Sequence, residues 1–183
     1  MPATTPTQPV TIATTWLDGC SGCHMSFLDM DERLIEIAPL IRIVYSPLVD
    51  SKTIPLGTDM GIIEGAVSNE DDLAKAHKMR KACKYLISLG DCAVTGNVPS
   101  MRNVFELSAC YDRAYRENAD LQQGTPTRIV PPLLPKVVPV HQVVDVDLFV
   151  PGCPPPADAI YYVLTELLAG RHPHPLQLTR FGK

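Results

Sequence analysis

Five short apolar runs carry the β-branched and aromatic content of strands: 10–17 (VTIATTWL), 41–48 (IRIVYSPL), 61–67 (GIIEGAV), 84–89 (KYLISL) and 147–150 (DLFV). Between them the apolar spacing widens to the helical period. Met25, Leu28, Leu34 and Ile35 predict a helix over 24–37, which Pro39 blocks. Ser68-Asn69-Glu70-Asp71 has the pattern of a helix start, with acids suited to its N-terminus, and Leu73, Ala76, Met79 and Cys83 form the stripe that follows. Further helices are predicted over 101–118 and from Pro156 to about Ala169, where Gly170 ends the run. The Pro-rich stretch TPTRIVPPLLPKVVPVHQVV is predicted to be a loop.

The resulting order, β-α-β-β-α-β-α-loop-β-α, is that of a parallel sheet covered by helices on both faces, and a flavodoxin-like α/β fold is expected. Three regions follow: a flexible N-terminal arm over 1–9, a flavodoxin-like domain over 10–170 and a C-terminal tail over 171–183. No internal repeat is present.

The six cysteines fall into two groups. Cys20 and Cys23 follow the first strand in DGCSGC, Cys92 follows the fourth in GDC, and Cys153 follows the last in PGCPPP. Parallel strands put their carboxyl ends on one side, where open α/β sheets bind ligands. Turns far apart in sequence therefore meet on one sheet edge. Four thiolates there match a [4Fe–4S] cluster, one per iron. The adjacent glycines let backbone N–H groups approach the sulfurs. Structural zinc uses two close pairs, whereas this chain has one pair and two distant singles. A thioredoxin-type CxxC would leave Cys92 and Cys153 without a role. Cys83 and Cys110 fall on helices among apolar neighbours and are expected to be packed thiols.

Glu64 interrupts an otherwise apolar strand that ends on the same edge, where a charge is costly unless paired. It is a candidate proton-relay carboxylate or polar contact beside the cluster. Asp18 and Asp91 are read as turn formers, and His24 as an orienting or surface residue. His141, His172 and His174 are scattered and suggest no metal site. No side chain stands out as catalytic.

Charged residues are 20% of the chain, the net charge is −4 and mean hydropathy is +0.05. A chain this apolar is expected to hide surface against a partner. Without a run of Lys or Arg, nucleic acid and anionic membranes are not expected partners. No apolar run is long enough to span a bilayer. MPATTPTQPV has neither the basic residue nor the apolar stretch of a leader, so a cytoplasmic, reducing setting is expected. Six cysteines in such a compartment argue for metal or redox chemistry.

Taken together, WLDGCSGC, EGAV, GDCAVTGN and PGCPPPADAI resemble the cluster-binding domain of [NiFe] hydrogenase small subunits over about residues 10–169. The resemblance implies a proximal [4Fe–4S] cluster held by Cys20, Cys23, Cys92 and Cys153. Periplasmic members carry a twin-arginine leader and a further cluster-binding region. Without these, the chain is similar to the small subunit of soluble, cytoplasmic, NAD-linked bidirectional hydrogenases. There the large subunit holds the Ni–Fe centre, and diaphorase subunits bind NAD, FMN and further iron–sulfur clusters. The implied role is electron relay within a hydrogen:NAD⁺ oxidoreductase, with no independent catalysis by this chain. The related 20 kDa-type subunit of respiratory complex I typically has adjacent cysteines in place of CSGC. F420-linked and sulfur-reducing hydrogenase small subunits are further alternatives. Outside this class stand a flavodoxin-like flavin protein, although no Ser/Thr-Gly phosphate loop follows Leu17, and a thiol redox protein using Cys20 and Cys23.

Overall fold

The computed structural model describes residues 8–121 and 124–182. Most of the 1–9 arm lies outside the described residues. In chain order the elements are β1 (Val10–Trp16), α1 (Gly22–Leu28), α2 (Glu32–Ile37), β2 (Ile41–Tyr45), β3 (Thr58–Glu64), β4 (Val67–Asn69), α3 (Glu70–Ala82), β5 (Cys83–Leu89), α4 (Gly90–Thr95), α5 (Leu107–Asp112), β6 (Leu133–Val138), β7 (Leu148–Val150) and α6 (Ala157–Leu168). One parallel sheet runs in the order β2-β1-β3-β5-β7. Numbered by their sequence within this sheet, the strands read 2-1-3-4-5, the flavodoxin-like order.

The period-2 alternation of each strand divides its side chains between two cores. Ile12, Met60, Ile62 and Ile87 face one side, with Phe27, Met30, Ile160, Val163 and Leu164 of the α1, α2 and α6 layer. Ala13, Ile63 and Leu86 face the other, with Ala76, Met79 and Ala82 of α3. Gly61 sits where β3 meets this second core. A methyl there would lie 2.7 Å from Cys83 Sγ and 2.8 Å from Leu86 Cδ1. Gly61→Ala is therefore expected to destabilise the fold by about 1–3 kcal/mol, read from denaturant midpoints at unchanged slope.

Several elements differ from the pattern-based expectation. The helix expected over 24–37 is two short helices, broken where Asp31 takes φ 50°. Met30 plugs into the core at that break, while Met25 and Leu28 of the predicted stripe face outward. The second strand stops at Tyr45. The run 61–67 belongs to two strands, because β3 starts earlier and ends at Glu64, and Gly65 turns the chain at φ 87° into β4. Glu64 is thus the last residue of its strand. Cys83 opens β5 instead of sitting on a helix, and is buried.

The helix expected over 101–118 is a 3₁₀ stretch (Val98–Val104), α5 and a π turn (Arg113–Glu117), none with a buried residue. Without a core-facing stripe, nothing enforces one continuous helix. Part of the Pro-rich loop is β6, which pairs antiparallel with β4. A two-stranded pair is all edge, so it accepts Pro135 within a strand.

The tail is packed. Thr179 is buried and donates to the Pro151 carbonyl at 2.6 Å, and Gly182 N–H donates to Asp91 Oδ2 at 2.7 Å.

Candidate metal centre

Parallel pairing aligns β1, β3, β5 and β7 so that Trp16, Glu64, Leu89 and Val150 finish in one row. The turns beyond them carry the cysteines. After β1, Asp18 and Ala66 exchange backbone hydrogen bonds of 3.0 and 2.7 Å, which fixes the start of the Cys20–Cys23 loop. Gly65 permits this approach, since a Cβ there would lie 2.8 Å from Asp18 O. Beyond β5, Gly90 takes φ 83° and brings its backbone against Cys23. Beyond β7, Asp91 N–H donates to Gly152 O at 2.8 Å, and Asp91 Oδ1 accepts from Gly152 N–H at 2.7 Å. This pair of hydrogen bonds staples the Cys92 turn to the Cys153 turn. The Cys153–Pro154 peptide is cis. Ser26 donates to the Pro155 carbonyl at 2.5 Å and ties α1 to the same turn.

One small cavity results. Cys20, Cys23, Cys92 and Cys153 all line it, with Glu64, Asp91, Gly22, Gly152 and Pro154. Cys83 and Cys110 take no part. Cys23 is buried, Cys92 half-buried, and Cys20 and Cys153 reach the surface. Among the described residues, no three His, Cys, Asp or Glu side chains converge as ligands of a single ion. The four cysteines instead line a common cavity.

The electrostatics of that space are unfavourable for bare thiolates. Burial pushes the Cys23 thiol far up, and the charges of Glu64, Cys92, Cys20 and Cys153 add to it. Burial, then Cys153 and Cys20, push Cys92 up to about 11, against opposing hydrogen bonds from the Asn97 side chain and Val98 backbone. The neighbouring sulfurs thus disfavour ionisation of Cys23 and Cys92. Bound positive charge, which iron supplies, would offset that penalty. The donor set therefore fits an iron–sulfur cluster.

Glu64 is 2% exposed. Its carboxylate accepts from Cys23 N–H at 3.2 Å and His24 N–H at 2.9 Å, and meets the His24 ring at Nδ1. His24 is buried, not on the surface. Its Nε2 lies 3.0 Å from Thr14 Oγ1, which lies 3.0 Å from Ser46 Oγ. Trp16 packs its edge against the imidazole. Two further residues are not legible from sequence as site residues. Asp91 acts across turns, which local turn chemistry does not reveal. Asn97 donates to Cys153 Sγ at 3.5 Å; the sole hint is an Asn following Gly96 a few residues beyond Cys92.

The sequence matches the family described as NADH ubiquinone oxidoreductase, 20 Kd subunit, over residues 20–167, a span that contains all four cysteines. The chain belongs to this family. It is 44% identical to the NAD-reducing hydrogenase HoxS subunit delta of Cupriavidus necator, over 88% of this chain and 80% of that one. It is 36% identical to a chain of the F420-non-reducing hydrogenase of Methanocaldococcus jannaschii, over 91% of this chain but 59% of the relative. Among solved structures it superposes on a chain of an NAD⁺-reducing [NiFe]-hydrogenase in the H₂-reduced state, with a TM-score of 0.90 and 37% identity. That match covers 94% of this chain and 99% of the other. A [NiFeSe]-hydrogenase of Dm. baculatum shares the fold, with a TM-score of 0.57 at 15% identity. No helix among the described residues is long and apolar enough to cross a membrane.

Proposed function

We propose that this chain is the electron-transfer small subunit of a cytoplasmic, NAD-reducing [NiFe] hydrogenase, and that Cys20, Cys23, Cys92 and Cys153 hold one [4Fe–4S] cluster. The observation that carries the cluster is the arrival of four thiols from three strand ends around one cavity. A cluster takes one thiolate per iron, whereas structural zinc uses two close Cys pairs, so one pair and two distant singles favour a cluster over a single zinc ion. Relatives named as hydrogenase subunits support the setting.

The cluster, when bound, accepts and releases one electron at a time. The chain's own residues hold and tune it. Asn97 directs its amide at sulfur, and Asp91 locks two ligand turns together. Glu64 holds the backbone N–H groups of Cys23 and His24 and brings a carboxylate beside the site. In this reading a large subunit would carry the Ni–Fe centre that splits hydrogen, and diaphorase subunits with FMN, further clusters and NAD would receive the electrons.

The partner face lies beside the cavity. Val98, Met101, Val104 and Phe105, just beyond Cys92, are each at least 60% exposed. The Pro-rich stretch adds exposed Ile129 and Val130. Surfaces of this kind mark protein interfaces.

The test is metal analysis of anaerobically purified protein. The expected result is about four irons and four acid-labile sulfides per chain, broad absorbance near 400 nm and an electron-spin signal on reduction. A flavin spectrum, or colourless iron-free protein from an anaerobic preparation, would sink the reading.

A further inference from the structure

Apart from the thiol cavity, a cleft of about 610 Å³ lies between α3 and the loop over 52–56. It shares no lining residue with the thiol cavity. Lys52, Lys75, Lys78 and Lys81 rim it. The whole chain has seven lysines and a net charge of −4, so four lysines against one lining carboxylate, Asp71, reverse the local charge. Lys75, Lys78 and Lys81 recur every third residue along α3 and therefore repel one another. The helix dipole explains basic residues in its last turn, Arg80 and Lys81. It does not explain Lys75 in the middle of the helix, or Lys52, which reaches in from a loop.

These lysines also lack a close ion pair, although the Lys75 charge acts on the nearby Asp72 carboxylate. Arg33, Arg80, Lys84, Arg113, Arg116 and Arg171 each meet a carboxylate within 4.0 Å. None of the four cleft lysines does, among the described residues. The floor between them is apolar, with Tyr45 and Ile54 partly buried, and Leu56 stands 76% exposed at the mouth. An aromatic and aliphatic floor below a cationic rim, in a concavity of this size, fits a small ligand that has a flat base and an anionic tail.

We propose that this cleft binds a nucleoside diphosphate, its phosphates among the four lysines and its base against Tyr45 and Ile54. The six helical steps from Lys75 to Lys81 rise about 9 Å, enough for two phosphates in series. Lysines serve such groups as point charges.

Calorimetric titration of the full chain with ADP, pyrophosphate and adenosine at low ionic strength tests this. ADP is expected to bind one-to-one, more tightly than pyrophosphate, with adenosine weakest. The double variant Lys75→Glu, Lys78→Glu is expected to weaken ADP by at least about tenfold with an unchanged circular dichroism spectrum. If that variant fails to fold, Lys52→Glu, which leaves the helix intact, must weaken ADP severalfold. Absence of saturable ADP binding, or ADP affinity indifferent to the lysine charges, overturns the proposal.

Discussion

Gly90→Ala will leave the fold largely intact and empty the metal centre, with iron falling from about four per chain to less than one. Two effects combine. Gly90 sits at φ 83°, where an L side chain costs about 1–2 kcal/mol. The added methyl would also stand 2.2 Å from Cys23 Sγ, a separation no real contact tolerates. Relief requires the thiol to rotate out of the cavity or the turn beyond β5 to retreat. The first removes a ligand. The second pulls Cys92 away and breaks the bonds between Asp91 and Gly152. Gly96→Ala is the control. It has nearly the same backbone angle, φ 88°, but its methyl meets Ser100 Cβ at 3.0 Å and no sulfur. It should lose stability and keep its iron. Full iron and sulfide in Gly90→Ala would falsify the placement of Gly90 against a cluster ligand.

The same glycine illustrates what is legible in the sequence. The strands β1, β3, β5 and β7 are visible because β-branched runs end at Gly-containing turns, and parallel pairing then forces their carboxyl ends to one edge. Cys20, Cys23, Cys92 and Cys153 can be grouped on that basis alone, and the cavity they line matches the grouping. The observed order 2-1-3-4-5 is that of the flavodoxin-like fold expected from the alternation of strands and helices. Regions without a buried face are harder to read. The segment over 98–117 has helical composition but no stripe packed on the core, so its backbone breaks into three kinds of turn. β6 is hidden by its prolines, which normally argue against a strand and here occupy an isolated two-stranded pair. In the sequence Asp91 and His24 suggest local turn and orienting or surface chemistry, because their partners, Gly152 and Glu64, lie 61 and 40 residues away. Sequence pattern reports periodicity and turns. It does not report which distant groups a buried polar atom will meet.

Glu64→Gln will raise the reduction potential of the cluster. The carboxylate lines the same cavity as the four cysteines and touches the backbone of one proposed ligand, Cys23. Reduction adds negative charge, so a nearby carboxylate opposes it, and neutralising that group favours the reduced form. Unit charges several ångströms apart at an effective dielectric of about 20 interact by a few kcal/mol. Since about 2.3 kcal/mol corresponds to 100 mV for one electron, a rise on the order of 100 mV is expected in a redox titration. Stability should fall as well. The carboxylate serves two backbone N–H groups and the His24 ring, and an amide replaces one acceptor oxygen by a donor, at a cost of about 1–3 kcal/mol. Glu64→Ala, which leaves all of these groups without their acceptor inside the protein, is expected to cost about 3–5 kcal/mol. Thr14→Val separates charge from structure. It removes the contact of His24 Nε2 with Thr14 Oγ1 without altering the charge at Glu64. A loss of stability with little change in potential is expected there. An unchanged potential in cluster-loaded Glu64→Gln, or an equal shift in Thr14→Val, would show that Glu64 braces the ligand loop without acting on the electron.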